Sequence, residues 1–256
     1  MLDELVRGAL ADAALRREHH PLKQVEAQAR AQRPSLDALA ALAPRDSVHI
    51  IAEVKRSSPS KGKLAAISDP AALALEYQSG GASAVSVLTE GRKFGGALED
   101  LVAIRHAVSI PVLRKDFIAE PYQLFEARAA GADLALLIVA ALDNTTLAEL
   151  FTLTNELGMT ALVETHSADE VERALDLGAD LIGVNARDLS TFELDQDLFG
   201  SLADRIPSGV IRVAESAVKS AADVAHYRRA GADVVLIGEA LVTGDPLATL
   251  NEFLAV

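Results

Sequence analysis

The chain contains no cysteine. This rules out disulfides and thiolate metal sites, and it suits a reducing compartment, so a cytoplasmic protein is expected. Positive charge is also scarce: 24 Lys and Arg stand against 37 Asp and Glu, a formal net charge of −13. The electrostatic footprint of a nucleic-acid binder is therefore missing, and a surface of this sign does not favour anionic membrane. A small anionic substrate stays compatible, because a few fixed cations and backbone N–H groups can dominate the potential inside one cleft. Long apolar runs are missing too. The longest, Leu134 to Leu142, is about half of the ~20 residues a spanning helix needs, and it reads as a buried strand and its exit. The opening MLDELVRGALADAALRREHH mixes acids into its apolar positions, so no signal peptide is expected. The six histidines are scattered without HxH or HExxH spacing, and His19 and His20, adjacent on a helix, point in different directions. Hence no metal is expected, and His166 and His226 read as surface or loop histidines. There is no GxSxG elbow.

What is present is a repeat. GGASAVSVL from Gly80, AGADLALLI from Ala130, LGADLIGV from Leu177 and AGADVVLIG from Ala230 share one form: a glycine suited to a helix C-terminus, a short polar step, then an apolar strand-length run. Gly81, Gly131, Gly178 and Gly231 recur at a spacing that fits two β/α units. Between them lie four further strand candidates, HIIAEV, PVLRKD, TALVET and VIRVAE, and amphipathic stretches such as DPAALALEY, EPYQLFEARAA and the Ser-capped SADEVERALDL separate all eight. Eight alternating units in a chain of 256 residues predict a single (β/α)8 TIM barrel over residues 48–256, preceded by an N-terminal helical extension over residues 1–47. An open doubly wound sheet is the alternative; the even repeat and the lack of a GxGxxG turn weigh against it.

In such a barrel the residues at the C-terminal strand ends face the active site. Those ends carry Glu53 and Lys55, Lys115 and Asp116, Glu164, Asn185, and Glu215. A single charge at a strand end is ordinarily a solvated loop group or half of a structural ion pair. Several at one rim can couple, shifting one another's pKa to give matched acids and bases. Asp116 has a plainer reading, orienting Lys115, and Arg187 and Asp188 another, capping the next helix. Lys55 and Lys115 are also of the type that forms Schiff bases, which the pattern leaves open. Anion binding has its own signals: AESAV and IGEAL follow the last two strands, where this fold holds phosphate on helix N-termini, with a hydroxyl at Ser216 and close backbone approach at Gly238. The first loop, KRSSPSKG, is basic, rich in hydroxyls and broken by proline and glycine, as befits a mobile ligand-contacting loop.

Taken in order, IAEVKRSSPSKG, VLRKDFI, LLIVAAL, ALVETH, GVNARDL, VAES and IGEALV closely resemble the indole-3-glycerol phosphate synthases of tryptophan biosynthesis, from about Ile50 to Val242. The resemblance implies a monofunctional carboxy-lyase with no cofactor, acting on carboxyphenylamino-deoxyribulose phosphate. It further implies Lys115 as general acid for ring closure, with Glu164 as its charge partner or proton relay. Glu53 and Lys55 would serve dehydration and contact the carboxylate, Asn185 would supply hydrogen bonds, and Glu215 would join the catalytic set. Arg187 would meet the aromatic carboxylate, Phe117 and Leu137 would line the anthranilate pocket, and Ser58, Ser216, Gly238 and the backbone of Glu239 would cradle the phosphate. Where many members have Ser-Gly after the strand-seven glutamate, this chain has Ser216-Ala217. Another phosphosugar barrel, such as a phosphoribosylanthranilate isomerase, and a phosphate-binding barrel without activity are the competing functions. No nucleic acid, no membrane and a monomer are expected.

Overall fold

The computed structural model describes residues 1–189, 191 and 193–256. Eight strands form the barrel: β1 His49–Val54, β2 Ala84–Leu88, β3 Val112–Lys115, β4 Leu134–Ile138, β5 Thr160–Thr165, β6 Leu181–Asn185, β7 Ile211–Glu215 and β8 Val234–Ile237. All neighbouring pairs are parallel, and β1 pairs with both β2 (Ile51 opposite Ala84) and β8 (His49 opposite Val234), so the sheet closes on itself. That closure excludes the open doubly wound sheet.

The helices are α1 Leu2–His19, α2 Leu22–Ala31 and α3 Ala38–Ala41 before the barrel, then α4 Pro70–Ser79, α5 Leu98–Ala107, α6 Pro121–Ala129, α7 Asn144–Glu156, α8 Ala168–Asp176, α9 Leu198–Ala203, α10 Ala221–Arg229, α11 Glu239–Thr243 and α12 Pro246–Leu254. Local chemistry sets their ends. Ser167 accepts from the Glu170 N–H to start α8, and Gly81, Gly131, Gly178 and Gly231 all take positive φ where a helix turns back into a strand.

Strand alternation sorts the apolar residues into two layers. Ile51, Leu113, Leu134, Leu136, Ile138, Leu162, Val213 and Leu236 fill the barrel interior. Ile50, Val85, Leu137, Val163, Ile182 and Val235 pack outward under the helices.

The N-terminal extension straps the barrel from end to end. Leu2, Leu5 and Ala9 of α1 join the interior cluster, and Leu5 also lines the cavity at the mouth. Ala38 and Leu42 join the same cluster, while the Leu36 N–H donates to Asp133 Oδ1 at 2.8 Å and Ser35 Oγ to the Gly158 carbonyl at 2.6 Å, both at strand beginnings. Of the four leucines that marked α1 as helical, Leu2 and Leu5 are buried and Leu15 is exposed.

Candidate active site

Glu53, Lys55, Lys115, Glu164, Asn185 and Glu215 all line one cavity of about 250 Å³ at the C-terminal mouth. They meet because each holds an inward position at the end of its strand, in phase with the interior layer. Lys115 Nζ lies 2.7 Å from Glu164 Oε2 and 3.0 Å from Glu215 Oε2. Asn185 Nδ2 donates to the other Glu164 oxygen at 3.1 Å. Across the rim Lys55 Nζ lies 2.8 Å from Glu53 Oε1, and Ser86 Oγ donates to Glu53 Oε2 at 3.3 Å.

Burial and neighbours set these groups apart. Burial disfavours the Lys115 ammonium, but Glu164, Glu215 and Glu53 outweigh it and hold its pKa above the usual lysine range. Burial likewise pushes the Glu164 carboxyl up, yet Lys115, His166 and the hydrogen bonds from Lys115 and Asn185 reverse this and carry it down. Glu215 moves the other way: burial, with Glu164's charge beside it, lifts its carboxyl to about 8 against the pull of Lys115. Two carboxylates on one ammonium thus separate into an ionised partner and a protonated one. Glu215 Oε1 is buried and has no hydrogen-bond partner among the described residues.

The cradle lies on β7 and β8. Ser216 and Ala217 both take left-handed backbone, with φ of 70° and 58°, and Gly238 precedes α11. A Cβ at Gly238 would come within 2.6 Å of Glu53 Oε1 and 2.9 Å of Lys55 Nζ, so a side chain there would have to displace the ends of both, and Lys55 reaches the anion end of the cavity. Ser216 lines the cavity, and its hydroxyl donates to Asn185 Oδ1 at 2.8 Å. The Arg187 N–H donates to that same oxygen at 3.0 Å. Ser58 lines the cavity from the first loop, and Lys61 of that loop pairs with Glu239. Arg187 also lines the cavity. Asp188 accepts the Thr191 N–H within the loop, well before α9, so it does not cap that helix.

Two expectations need correction. Leu137 faces outward and packs under the helices; its neighbours Leu136 and Ile138 line the cavity, beside Phe117 and Phe94. The residue one step away in a strand is on the opposite face. Asp116 does not touch Lys115: it accepts from Thr89 Oγ1 at 2.6 Å, Arg114 Nη2 at 2.9 Å and the Phe117 N–H at 2.8 Å, fixing the bend after β3. His166 lies in the loop after β5, as the sequence suggested, but its ring is largely buried, 3.4 Å from Glu164 and 3.2 Å from Glu170. Leu5 and Phe94 were not anticipated, because no local pattern marks which part of the extension or of the later loops folds over the mouth, whereas Lys61 lies in the first loop already read as ligand-contacting.

A closed barrel whose strand ends join a buried acid–base cluster to an anion cradle and an apolar wall defines a β/α-barrel enzyme of proton-transfer chemistry. Comparison with known proteins makes this specific. Residues 2–253 match the family model for indole-3-glycerol phosphate synthase. An indole-3-glycerol phosphate synthase of Leifsonia xyli subsp. xyli is 70% identical over 256 residues, all of this chain and 98% of the relative. That of Mycobacteroides abscessus is 57% identical over 96% of this chain and 90% of its own. In fold alone the barrel also resembles the N-acetylmannosamine-6-phosphate 2-epimerase from Clostridium perfringens, with a TM-score of 0.61 at 12% identity, covering 83% of this chain and 94% of the other. The chain belongs to the indole-3-glycerol phosphate synthase family, the carboxy-lyases of tryptophan biosynthesis. No helix among the described residues is long and apolar enough to cross a membrane.

Proposed function

We propose that this chain closes the indole ring of 1-(2-carboxyphenylamino)-1-deoxyribulose 5-phosphate with Lys115 as the proton donor, and that the observation carrying this is the Lys115 ammonium held between Glu164 and Glu215 at the cavity floor. Strands four apart face each other across an eight-stranded ring. The apolar wall on β3 and β4 therefore stands opposite the cradle on β7 and β8, which fits a substrate with an aromatic ring at one end and a phosphate at the other. Backbone N–H groups around Ala217 and Glu239, with Ser58 and Lys55, receive the phosphate. Arg187 receives the carboxylate.

In the first step the ring carbon bearing the carboxylate attacks the ketone carbon. The carbonyl π electrons move to oxygen, which takes a proton from Lys115. The bond to the carboxylate then breaks, its electrons restore the aromatic ring, and carbon dioxide leaves. Glu164, ionised and fixed by Asn185, holds Lys115 in place, and the Lys115 amine takes a proton from solvent after carbon dioxide has left. In the second step the new hydroxyl takes a proton and leaves as water, while the methylene carbon beside the nitrogen loses a proton to form the indole double bond. Glu53 and Lys55 serve that exchange. Glu215, carrying its proton at neutral pH, keeps one oxygen on Lys115 and buries the other against Gly183. Every proton is moved by a side chain, so no cofactor or metal has a part in this scheme. The chain would act as one domain, a monomer in the cytoplasm.

Fluorescence of the indole product, followed with purified protein, tests the assignment. Lys115→Ala, and Lys115→Met with the stem's bulk kept, should each lower kcat by roughly 10²–10⁴-fold with a smaller change in KM, since a general acid acts in the transition state. Lys55→Ala should raise KM as well as lower kcat. Near-normal single-turnover chemistry in Lys115→Ala would remove it as the acid.

A further inference from the structure

His166 directly follows β5, two residues beyond Glu164, and the scheme above gives it no part. It is nevertheless held tightly. Its backbone N–H donates to Glu170 Oε2 at 2.8 Å, and its ring Nδ1 lies 3.2 Å from the same oxygen. Glu170 is in turn fixed in the first turn of α8, its own N–H donating to Ser167 Oγ at 3.3 Å. The opposite ring nitrogen, Nε2, is buried and has no hydrogen-bond partner among the described residues, yet it lies 3.4 Å from Glu164 Oε1. That oxygen already accepts from Asn185, while Oε2 of the same carboxylate accepts from Lys115. A carboxylate, an imidazole and a second carboxylate thus run from α8 to the acid–base cluster.

We propose that His166 is a positioning residue for ring closure: anchored by Glu170, its imidazolium lies against the outer oxygen of Glu164 and draws that carboxylate's charge away from Lys115, leaving the ammonium a readier proton donor. The proposal rests on Lys115 being the acid. A lysine between two carboxylates holds its proton too strongly to give it up easily, and a second cation sharing one carboxylate relieves this. The charged groups acting on the ring are Glu170 from α8, Glu164 at the end of its own strand and Glu215 from β7. Burial opposes its charged form, and these three acids outweigh it, so the ring titrates above the ordinary histidine value.

Because the charged form exists below that pKa, kcat should fall as pH rises through it. His166→Gln keeps a donor near Nε2 but cannot titrate, and should lose this limb of the profile. Glu170→Gln should move the limb to lower pH. His166→Phe, which fills the ring's space, should lower kcat roughly tenfold, the worth of about one pKa unit on the acid, with KM within about twofold of the parent. Unchanged pH profiles in both His166→Gln and Glu170→Gln, or a defect of His166→Phe confined to KM, would overturn the role. NMR titration of the His166 ring needs no turnover and separates the two assignments. In Glu164→Gln its pKa should drop. An unmoved value there abolishes the contact, whereas a drop alongside an active Lys115→Ala rejects Lys115 as the acid and the role with it.

Discussion

Gly183 shows how narrowly single residues constrain the site. It takes an inward position on β6, and a Cβ there would overlap Glu215 Oε1, approach its Cδ at 3.2 Å and touch Leu162 Cδ1 at 3.4 Å. The requirement is for space. Gly183→Ala should cost about 1–3 kcal/mol as an overpacked interior position, a change visible as a lowered Tm. It should also push Glu215 off Lys115 and lower kcat at least about tenfold, since the displaced carboxyl belongs to a coupled cluster. Steady-state kinetics decide it: a kcat within twofold of the parent would mean that the Glu215–Lys115 contact has no part in turnover. At this scale the charged members of the site were legible in the sequence, because a charge placed directly after an apolar barrel strand has only the mouth to enter. Leu137 was misplaced because one step along a strand reverses the face, and the run LALLIVAAL is apolar on both. The burial and partners of His166 were not legible for a different reason. A lone histidine gives no sign of its neighbours, and Glu170, which fixes it, lies on the following helix.

The element that sequence periodicity revealed least about is α1. Its helical character is legible, but its seat is held by charged groups that a search for an apolar stripe passes over. Arg16 bonds both oxygens of Glu126 on α6, at 2.5 and 2.8 Å, and Arg92 bonds Asp12. Behind Glu126 lies Arg114, fully buried on the outer face of β3, which donates to Thr89 Oγ1, Asp116 and the Gln123 carbonyl. A buried guanidinium is tolerated only when so fully paired. The chain of contacts therefore runs from α1 through α6 to the segment that carries Lys115, Asp116 and Phe117. Arg16→Met removes the outer member and keeps much of its stem. Since Arg16 is one-third exposed, the loss should be about 1–2 kcal/mol, less than for a fully buried pair, or about 2–6 °C in Tm for a chain of this size. Because α1 also carries Leu5 into the cavity, KM should rise while kcat is nearly unchanged. If thermal melting and KM both match the parent, α1 is seated by its leucines alone.

At the scale of the whole molecule, the repeat of eight strand–helix units made the barrel legible, because parallel strands buried on both faces read as plain apolar runs and the glycines between them mark where each helix must reverse. The overall charge of −13 says nothing of the mouth, where lysines and an arginine match the acids in number. The acid cluster there stores a cost that the rest of the fold carries, and its pH dependence can be worked out. Glu215 has a folded pKa near 8, well above that of an exposed glutamate, because burial and the charge of Glu164 oppose its ionisation. Below the unfolded value both states bind the proton and the group contributes no pH dependence. Between the unfolded and folded values only the folded state binds it, so stability falls as pH rises through this window. Above about 8 both states are ionised and the decline stops. Glu164 has the opposite sign: its folded pKa is depressed, so its stabilising contribution is lost only as pH falls below the ordinary glutamate range. The two windows do not overlap. Glu215→Gln keeps the shape, offers an amide to Lys115's neighbourhood and removes the ionisation. Its Tm relative to the parent should therefore rise steadily from about pH 5 to pH 8 and then level off, while activity is lost throughout. Thermal unfolding of the two proteins across that range gives the answer. A difference independent of pH would mean that Glu215 is already ionised in the folded state at neutral pH, and the separation of the two carboxylates into partner and proton carrier would have to be abandoned.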